Sequence, residues 1–222
     1  MGYQAVGLDL DGTLFDHSGA SAVAVDAFTT WLGAPTSERT RSLWAALEDE
    51  QFELWRAGRI TFQEQRRRRL RAFLPAIRVD VPSEGRELDV LFEQYLLSYR
   101  AAWRPFPDAV ELLATLHRQK VPVGVLSNGN HEQQLDKLAS IGLDRYIGVV
   151  CTSERIGFAK PDPRAFHALA SGLGVEPAGL VFLGDNPEHD IDGARAAGIR
   201  AGLVERSTSH QVDLFEALAT AQ

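Results

Sequence analysis

The chain from about Trp103 onward alternates short apolar runs with amphipathic stretches. Four apolar runs predict β-strands, and the segments between them have the periodicity of helices. This alternation is typical of βαβ units, which build a parallel sheet. The predicted strands cover 121–127, 147–152, 180–184 and 201–204, and the predicted helices cover 108–119, 131–141, 164–172 and 191–197.

An apolar run at the N-terminal end predicts a fifth strand, which ends in two acids. Asp9 and Asp11 are followed by Gly12 and Thr13. Because side chains alternate along a strand, residues two apart point in similar directions, so the two carboxylates are expected to face the same way. An Asp-Gly pair is also a common turn signal. On its own the segment therefore indicates either a turn or a catalytic pair.

The segment from 16 to 100 differs from the rest, because it shows helical periodicity and few strand signals. We predict two domains: an α/β core formed by 1–15 and 101–222, and an all-helical cap domain at 16–100. Aromatic residues at helical spacing are expected to form the cap's core, with a cofactor pocket as the alternative. The consecutive arginines Arg66 to Arg69 point in all directions around a helix, so we expect a solvated surface, unless one of them reaches the cleft.

Composition limits the classes of partner and location. A formal net charge of −7 argues against binding a nucleic-acid backbone, but it does not exclude a small anion held by local groups. We see no signal peptide and no apolar run near the roughly 18 residues that span a bilayer, so we expect a soluble cytoplasmic protein without a membrane partner. Cys151, the single cysteine, is expected in the core, with a reactive thiol as the alternative.

Polar residues follow three further predicted strands. Ser127 and Asn128 end one strand, Lys160 lies in the loop after another, and Asp185 follows a third with Asp190 close behind. Each signal has an ordinary explanation: a helix N-cap, a surface lysine, or acids at a helix start. Together they fall at the carboxyl ends of parallel strands, where ligands bind in open α/β sheets. They are therefore expected to meet in one cleft.

This cleft would hold several carboxylates, one lysine and one hydroxyl. Crowded carboxylates repel one another unless a cation lies among them, and Mg²⁺ prefers oxygen ligands of this kind. We therefore expect Mg²⁺ as the cofactor. The lysine is expected to hold an acidic nucleophile and an anionic group of the substrate together.

Four segments of the sequence carry a family resemblance. They are 9–14 (DLDGTL), 126–129 (LSNG), 160–163 (KPDP) and 184–194 (GDNPEHDIDGA). In this order they resemble the motifs of the haloacid dehalogenase superfamily, in its branch of phosphatases with a helical cap after the first motif. The resemblance covers nearly the whole chain. It implies a Rossmann-like parallel five-stranded sheet with an inserted helical cap.

Carried over by position, the resemblance implies that Asp9 is a nucleophile that forms an aspartyl-phosphate. It implies that Asp11 protonates the leaving oxygen and then activates water. Ser127 and the backbone amide of Asn128 would bind phosphoryl oxygens, and Lys160 would offset the charge of nucleophile and phosphate.

The resemblance also implies a ligand set for the metal. The carboxylate of Asp9, the backbone carbonyl of Asp11 and the carboxylate of Asp185 would hold Mg²⁺, with Asp190 as an outer partner. Thr13 would support the loop.

These residues favour a Mg²⁺-dependent phosphatase that acts on a small phosphorylated metabolite. A haloacid dehalogenase is an alternative, disfavoured by Asp11 because displacing halide needs no proton for the leaving group. A phosphomutase and a binding or regulatory module without catalysis also remain alternatives. The sequence leaves both a monomer and a homodimer open.

Overall fold

A computed structural model describes residues 2–206 and 211–221 of the chain. The fold divides into two compact units, one formed by the segments 1–16 and 104–222 and the other by His17–Trp103. We call them the core unit and the helical unit. In the described ranges, no helix combines the length and the apolar character needed to cross a membrane.

The core unit is built on a parallel sheet of five strands, which confirms the predicted α/β fold. In space the order is β3-β2-β1-β4-β5, so the N-terminal strand lies at the centre. Every residue of the three middle strands is buried, as is usual for a parallel sheet covered on both faces. The strands are β1 (Ala5–Leu8), β2 (Val123–Ser127), β3 (Val149–Thr152), β4 (Leu180–Gly184) and β5 (Arg200–Leu203).

The register of the strands places their carboxyl ends at one edge. Leu8 pairs with Val125 on one side and with Leu183 on the other. The residues that follow β1 and β4, and the last residue of β2, therefore lie side by side. This edge carries the polar residues predicted from the sequence.

Helices make up the helical unit, and a separate set of helices belongs to the core unit with the sheet. Those of the helical unit are α1 (His17–Trp31), α2 (Glu38–Arg56), α3 (Phe62–Ala76) and α4 (Gly85–Ala101). Those of the core unit are α5 (Pro107–Arg118), α6 (His131–Ser140), α7 (Ser153–Ile156), α8 (Pro163–Leu173), α9 (Gly193–Ala196) and α10 (Leu214–Thr220). Cys151 is 7% exposed and packs in the core cluster with Leu126 and Phe166, which confirms its expected place.

Among the predicted boundaries that differ from the structure, two are wrong for a clear local reason. The strand predicted from 121 begins at Val123, because Val121 N–H still donates to Leu116 O at the end of α5 and Pro122 has no N–H to donate. The helix predicted over 191–197 is a π-helical turn at Pro187–Asp192 followed by the short α9. The Asn186 side chain caps this turn by accepting from two backbone N–H groups.

Two backbone hydrogen bonds join the chain on both sides of the helical unit. Phe106 N–H donates to Leu14 O over 2.9 Å, and Asp16 N–H donates to Arg104 O over 3.1 Å. Arg104 also pairs with the Asp16 carboxylate. The core unit thus holds together the two points at which the chain leaves and re-enters it.

The helical unit has the aromatic core predicted from its periodicity. Trp44 lies at the centre, with ring centroids 4.9 Å from Phe73 and 4.5 Å from Tyr95. Trp31 is an exception, because it is 58% exposed and stacks on Phe28.

The expectation of a solvated arginine run is wrong for Arg69. This side chain is 2% exposed, with Nη1 3.0 Å from Glu48 Oε1 and the guanidinium 4.5 Å from the Trp44 ring centroid. Consecutive residues on a helix sample all directions, so one of four must face the packed side. An ion pair and an aromatic face compensate the buried charge there.

Candidate active site

Four charged residues from three loops meet at the carboxyl edge of the sheet. Asp9 follows β1, Asp185 follows β4, Asp190 lies in the π-helical turn, and Lys160 precedes α8. Carboxylate oxygens of Asp9, Asp185 and Asp190 all lie within 4.8 Å of one another. We call these three residues the acid cluster.

Lys160 lies inside this group and is 5% exposed. Its Nζ is 2.5 Å from Asp9 Oδ1 and 2.6 Å from Asp190 Oδ1. Burial by itself lowers the pKa of Lys160, but the adjacent carboxylates of Asp190 and Asp9 outweigh it, so this pKa lies above its usual range. The ammonium group therefore stays charged at neutral pH and links the two acids.

Excess negative charge remains in the acid cluster. Burial raises the pKa of Asp9 well above its ordinary value; Lys160 opposes this shift, and Asp190 and Asp185 add to it. Asp185 keeps contact with solvent, yet partial burial and the neighbouring Asp190 raise its pKa to about 6. One lysine thus does not neutralise three carboxylates.

The buried oxygen Asp9 Oδ2 has no hydrogen-bond partner among the described residues. Buried carboxylate oxygens are rarely left without a partner. An orphaned oxygen in a cluster of carboxylates whose charges repel one another fits a hard divalent cation. The donor set is therefore suited to the expected Mg²⁺.

Two glycines make the close packing of the acid cluster feasible. Gly12 has φ +91°, and a Cβ atom there would overlap Asp185 Oδ2. A Cβ atom at Gly184 would likewise overlap the Asp190 carboxylate. Glycine is needed at both positions because the backbone passes directly beside a carboxylate.

The loop after β1 is fixed by backbone hydrogen bonds and by an arginine that the sequence analysis missed. Leu14 N–H donates to Leu10 O, and Gly12 N–H donates to Phe15 O. Arg206 donates to Thr13 O over 2.6 Å and also pairs with Asp108. No motif in the sequence marks Arg206. The Thr13 hydroxyl is buried and has no hydrogen-bond partner in the described part of the chain.

Ser127 is the last residue of β2 and Asn128 follows it. Asn128 exchanges two hydrogen bonds with the backbone of Lys160: Nδ2 donates to Lys160 O, and Lys160 N–H donates to Oδ1. Only the backbone amide of Asn128 was expected in the site, and no pattern in the sequence marks this use of its side chain.

Asp11 is held by α6, where the sequence analysis found no site residue. Lys137 Nζ is 2.5 Å from Asp11 Oδ1, and Gln134 Nε2 is 2.7 Å from Asp11 Oδ2. The same Gln134 nitrogen is 2.7 Å from Ser127 Oγ. Spacing by three residues puts Gln134 and Lys137 on one face of α6, a signal that could have suggested a shared task.

Comparison with known proteins identifies the family. The model of haloacid dehalogenase-like hydrolases matches residues 3–198. Among curated relatives, a phosphoserine phosphatase of Thermus thermophilus is 32% identical over 181 residues, which cover 81% of this chain and 69% of the relative. Other curated relatives are also named as phosphatases.

Two solved structures show the same fold. The HAD-hydrolase YfnB from Bacillus subtilis has a TM-score of 0.81 and 19% identity, with 99% of this chain and 98% of that chain covered. The L-2-haloacid dehalogenase from Xanthobacter autotrophicus has a TM-score of 0.73 and 26% identity, with coverages of 98% and 81%. Matched over most of its length by the family model and by a relative above 30% identity, the chain belongs to the haloacid dehalogenase-like hydrolases.

Proposed function

We propose that the protein is a Mg²⁺-dependent phosphatase that hydrolyses a phosphomonoester of a small metabolite through an aspartyl-phosphate at Asp9. The observation that carries this proposal is the buried Asp9 carboxylate, with one oxygen on Lys160 and the other without a hydrogen-bond partner in the described part of the chain. The curated relatives named as phosphatases support the reaction class.

In the first step, a carboxylate oxygen of Asp9 attacks the phosphorus and the bond from phosphorus to the ester oxygen breaks. Asp11, in its acid form, gives a proton to the departing oxygen, so the product is a neutral alcohol. In the second step, water attacks the phosphoryl group while Asp11 takes one of its protons. Inorganic phosphate leaves, and the Asp9 carboxylate is restored.

Charge and hydrogen bonds would hold the phosphoryl group during both steps. Ser127 and the backbone N–H of Asn128 are the proposed donors to its oxygens, and Lys160 is the proposed cation beside it. Lys160 is already charged and paired with Asp9 before the substrate binds, so little reorganisation is needed when the phosphate group enters the site.

The metal would be held by the carboxylates of Asp9 and Asp185 and by the backbone carbonyl of Asp11. When bound, Mg²⁺ supplies positive charge that offsets the phosphoryl oxygens and orients them. Asp190 is already engaged, because its Oδ2 accepts from Asn186 N–H at 3.0 Å and its Oδ1 faces Lys160. We therefore assign Asp190 to holding Lys160.

The test is a release assay with p-nitrophenyl phosphate and a panel of small phosphorylated metabolites, with Mg²⁺ or with a chelator. We expect Mg²⁺-dependent turnover that falls by at least about 10³-fold in Asp9→Asn. Asp162→Asn is the matched control, because Asp162 lies in a motif yet caps α8 on the surface, where asparagine also caps well. Its activity should stay near that of the wild type.

The alternatives give different results in the same assay. Phosphate release that persists in Asp9→Asn, or that ignores the chelator, contradicts the proposal. Halide release from a 2-haloacid without phosphatase activity would assign the dehalogenase reaction instead. Phosphoryl transfer to a second sugar hydroxyl, faster than transfer to water, would assign a mutase.

A further inference from the structure

We infer that Gln134 and Lys137 of α6 are positioning residues that fix the Ser127 hydroxyl and the Asp11 carboxylate for phosphoryl transfer. This inference rests on the proposed function. Both side chains are 3% exposed, although each ends in a strongly polar group. Buried polar ends of this kind persist where they have defined partners.

Gln134 bridges the two groups through a single nitrogen. Nε2 is 2.7 Å from Asp11 Oδ2 and 2.7 Å from Ser127 Oγ. An amide nitrogen carries two hydrogens, one for each partner. The reversed amide would set Oε1 against a carboxylate, and two acceptors repel. The orientation of the amide therefore follows from its neighbours.

This bridge determines how the Ser127 hydroxyl acts. Because Ser127 Oγ accepts from Gln134, its own hydrogen points away from Gln134 and is available to an anion. Without this partner the hydroxyl could rotate, and for part of the time its hydrogen would not point towards the phosphoryl oxygen. Gln134 thus makes Ser127 a directed donor to a phosphoryl oxygen.

Lys137 fixes the second oxygen of Asp11. Its Nζ is 2.5 Å from Asp11 Oδ1 and 4.9 Å from the centroid of the Phe15 ring. With Oδ2 on Gln134 and Oδ1 on Lys137, the plane of the carboxylate is set by two donors on one rigid helix. A group that must reach a leaving oxygen needs such a fixed direction.

The backbone at Gly129 lies directly against the Gln134 amide. A Cβ atom at Gly129 would overlap the Gln134 amide, so the chain passes directly beside it. The amide is held between this glycine and its two partners. The bridge is therefore part of the fold of the site and not a chance surface contact.

The two residues should have separable kinetic effects. In Gln134→Leu we expect KM for phosphate esters to rise, and binding of inorganic phosphate to weaken, by about 10-fold. In Lys137→Met we expect kcat/KM to fall about 10- to 100-fold for alkyl phosphates and much less for p-nitrophenyl phosphate. A nitrophenolate leaves without help from an acid, so a misplaced Asp11 matters less there.

Matched controls come from the same chain. Gln133→Leu changes the neighbouring position on α6, and Lys120→Met removes an exposed lysine. Both should keep KM and the ratio of the two ester activities within about 2-fold of the wild type. Lys137→Arg keeps the positive charge but places it at a different distance from the backbone. Its alkyl phosphate activity should lie between those of Lys137→Met and the wild type.

The outcomes separate the inference from the proposed function. Folded Gln134→Leu and Lys137→Met proteins that match their controls overturn the inference, and so does a folded Lys137→Met protein that loses both ester activities equally. A wild type without turnover overturns the proposed function, and phosphate affinity by calorimetry then still tests Gln134. If Lys137→Met does not fold, the ester ratio of Lys137→Arg decides: an unchanged ratio with lower activity contradicts positioning.

Discussion

The side chain of Asn128 and the backbone of Lys160 form a reciprocal pair of hydrogen bonds. Nδ2 donates to Lys160 O over 2.8 Å, and Lys160 N–H donates to Oδ1 over 2.7 Å. This pair ties the loop before α8 to the end of β2. The Lys160 ammonium group therefore meets Asp9 from a fixed backbone.

Loss of this pair should cost both stability and turnover. For Asn128→Ala we expect a destabilisation of about 1–3 kcal/mol, because a backbone donor and a backbone acceptor lose their partners. Urea unfolding measures the stability and the ester assay measures kcat. Asn128→Asp keeps the acceptor for Lys160 N–H but sets an oxygen against Lys160 O, so it should fall between wild type and alanine in stability. An unchanged midpoint in Asn128→Ala would contradict the structural role.

Gly12→Ala should disturb metal binding more than backbone strain alone explains. The φ of +91° is unfavourable for alanine, and the added Cβ would displace the Asp185 carboxylate. Gly142→Ala is the control, because Gly142 has φ +71° and no atom of the described residues lies within 4 Å of an added Cβ. We expect both variants to lose about 1 kcal/mol from strain. Only Gly12→Ala should weaken Mg²⁺ binding in calorimetry; equal Mg²⁺ affinity in the two variants would argue against Asp185 as a ligand.

Asp185 should make the metal-free protein more stable as the pH falls. Its pKa is about 6 in the folded state, above its ordinary value of 3.8, so the folded state binds this proton more readily than the unfolded state. The unfavourable contribution is present above pH 6 and disappears towards pH 4. In chelator, Asp185→Asn should therefore raise Tm relative to the wild type at pH 7.5, and this gain should vanish near pH 4.5.

With Mg²⁺ present, we expect the dependence of Tm on pH to be reversed. A cation that binds the ionised acid cluster stabilises the folded state, and protons compete with it. The rise in Tm caused by Mg²⁺ should be larger at pH 7.5 than at pH 5, and it should shrink in Asp185→Asn. A rise in Tm that is independent of pH and of Asp185 would locate the cation elsewhere.

Arg69 should contribute far more to the stability of the helical unit than its neighbour in sequence, Arg68. Arg69→Met removes a buried cation that lies 3.0 Å from Glu48, and we expect a destabilisation of about 3 kcal/mol because this largely buried ion pair is broken. Arg68→Met is the matched control, since Arg68 is 46% exposed and pairs with Glu64 at the surface; its effect should stay within about 0.5 kcal/mol. Equal unfolding midpoints would contradict the pairing.

The fold and the positions of the motif residues could be predicted because the parallel topology of the sheet largely determines them. Strands that alternate with helices end at one edge, so Asp9, Ser127 and Asp185 are brought together without knowledge of side-chain packing. Lys160 was expected there on its motif, and its burial follows from the two acids on either side of it.

The contacts of Gln134, Lys137 and the Asn128 side chain could not be predicted in the same way. They depend on the rotation of α6 about its axis and on the path of one loop, which a polar pattern does not encode. Arg69 was misjudged for a related reason: charge predicts exposure, and only the packed structure shows that Glu48 and Trp44 compensate it.

The hydrogen bonds between Leu14 and Phe106 and between Asp16 and Arg104 bring the two ends of the inserted segment together within the core itself. A segment attached at neighbouring points behaves as an exchangeable cassette, since a short loop would close the same gap. We therefore expect that residues 17–103 could be replaced as one piece while Asp9 and Lys160 keep their positions at the edge of the sheet.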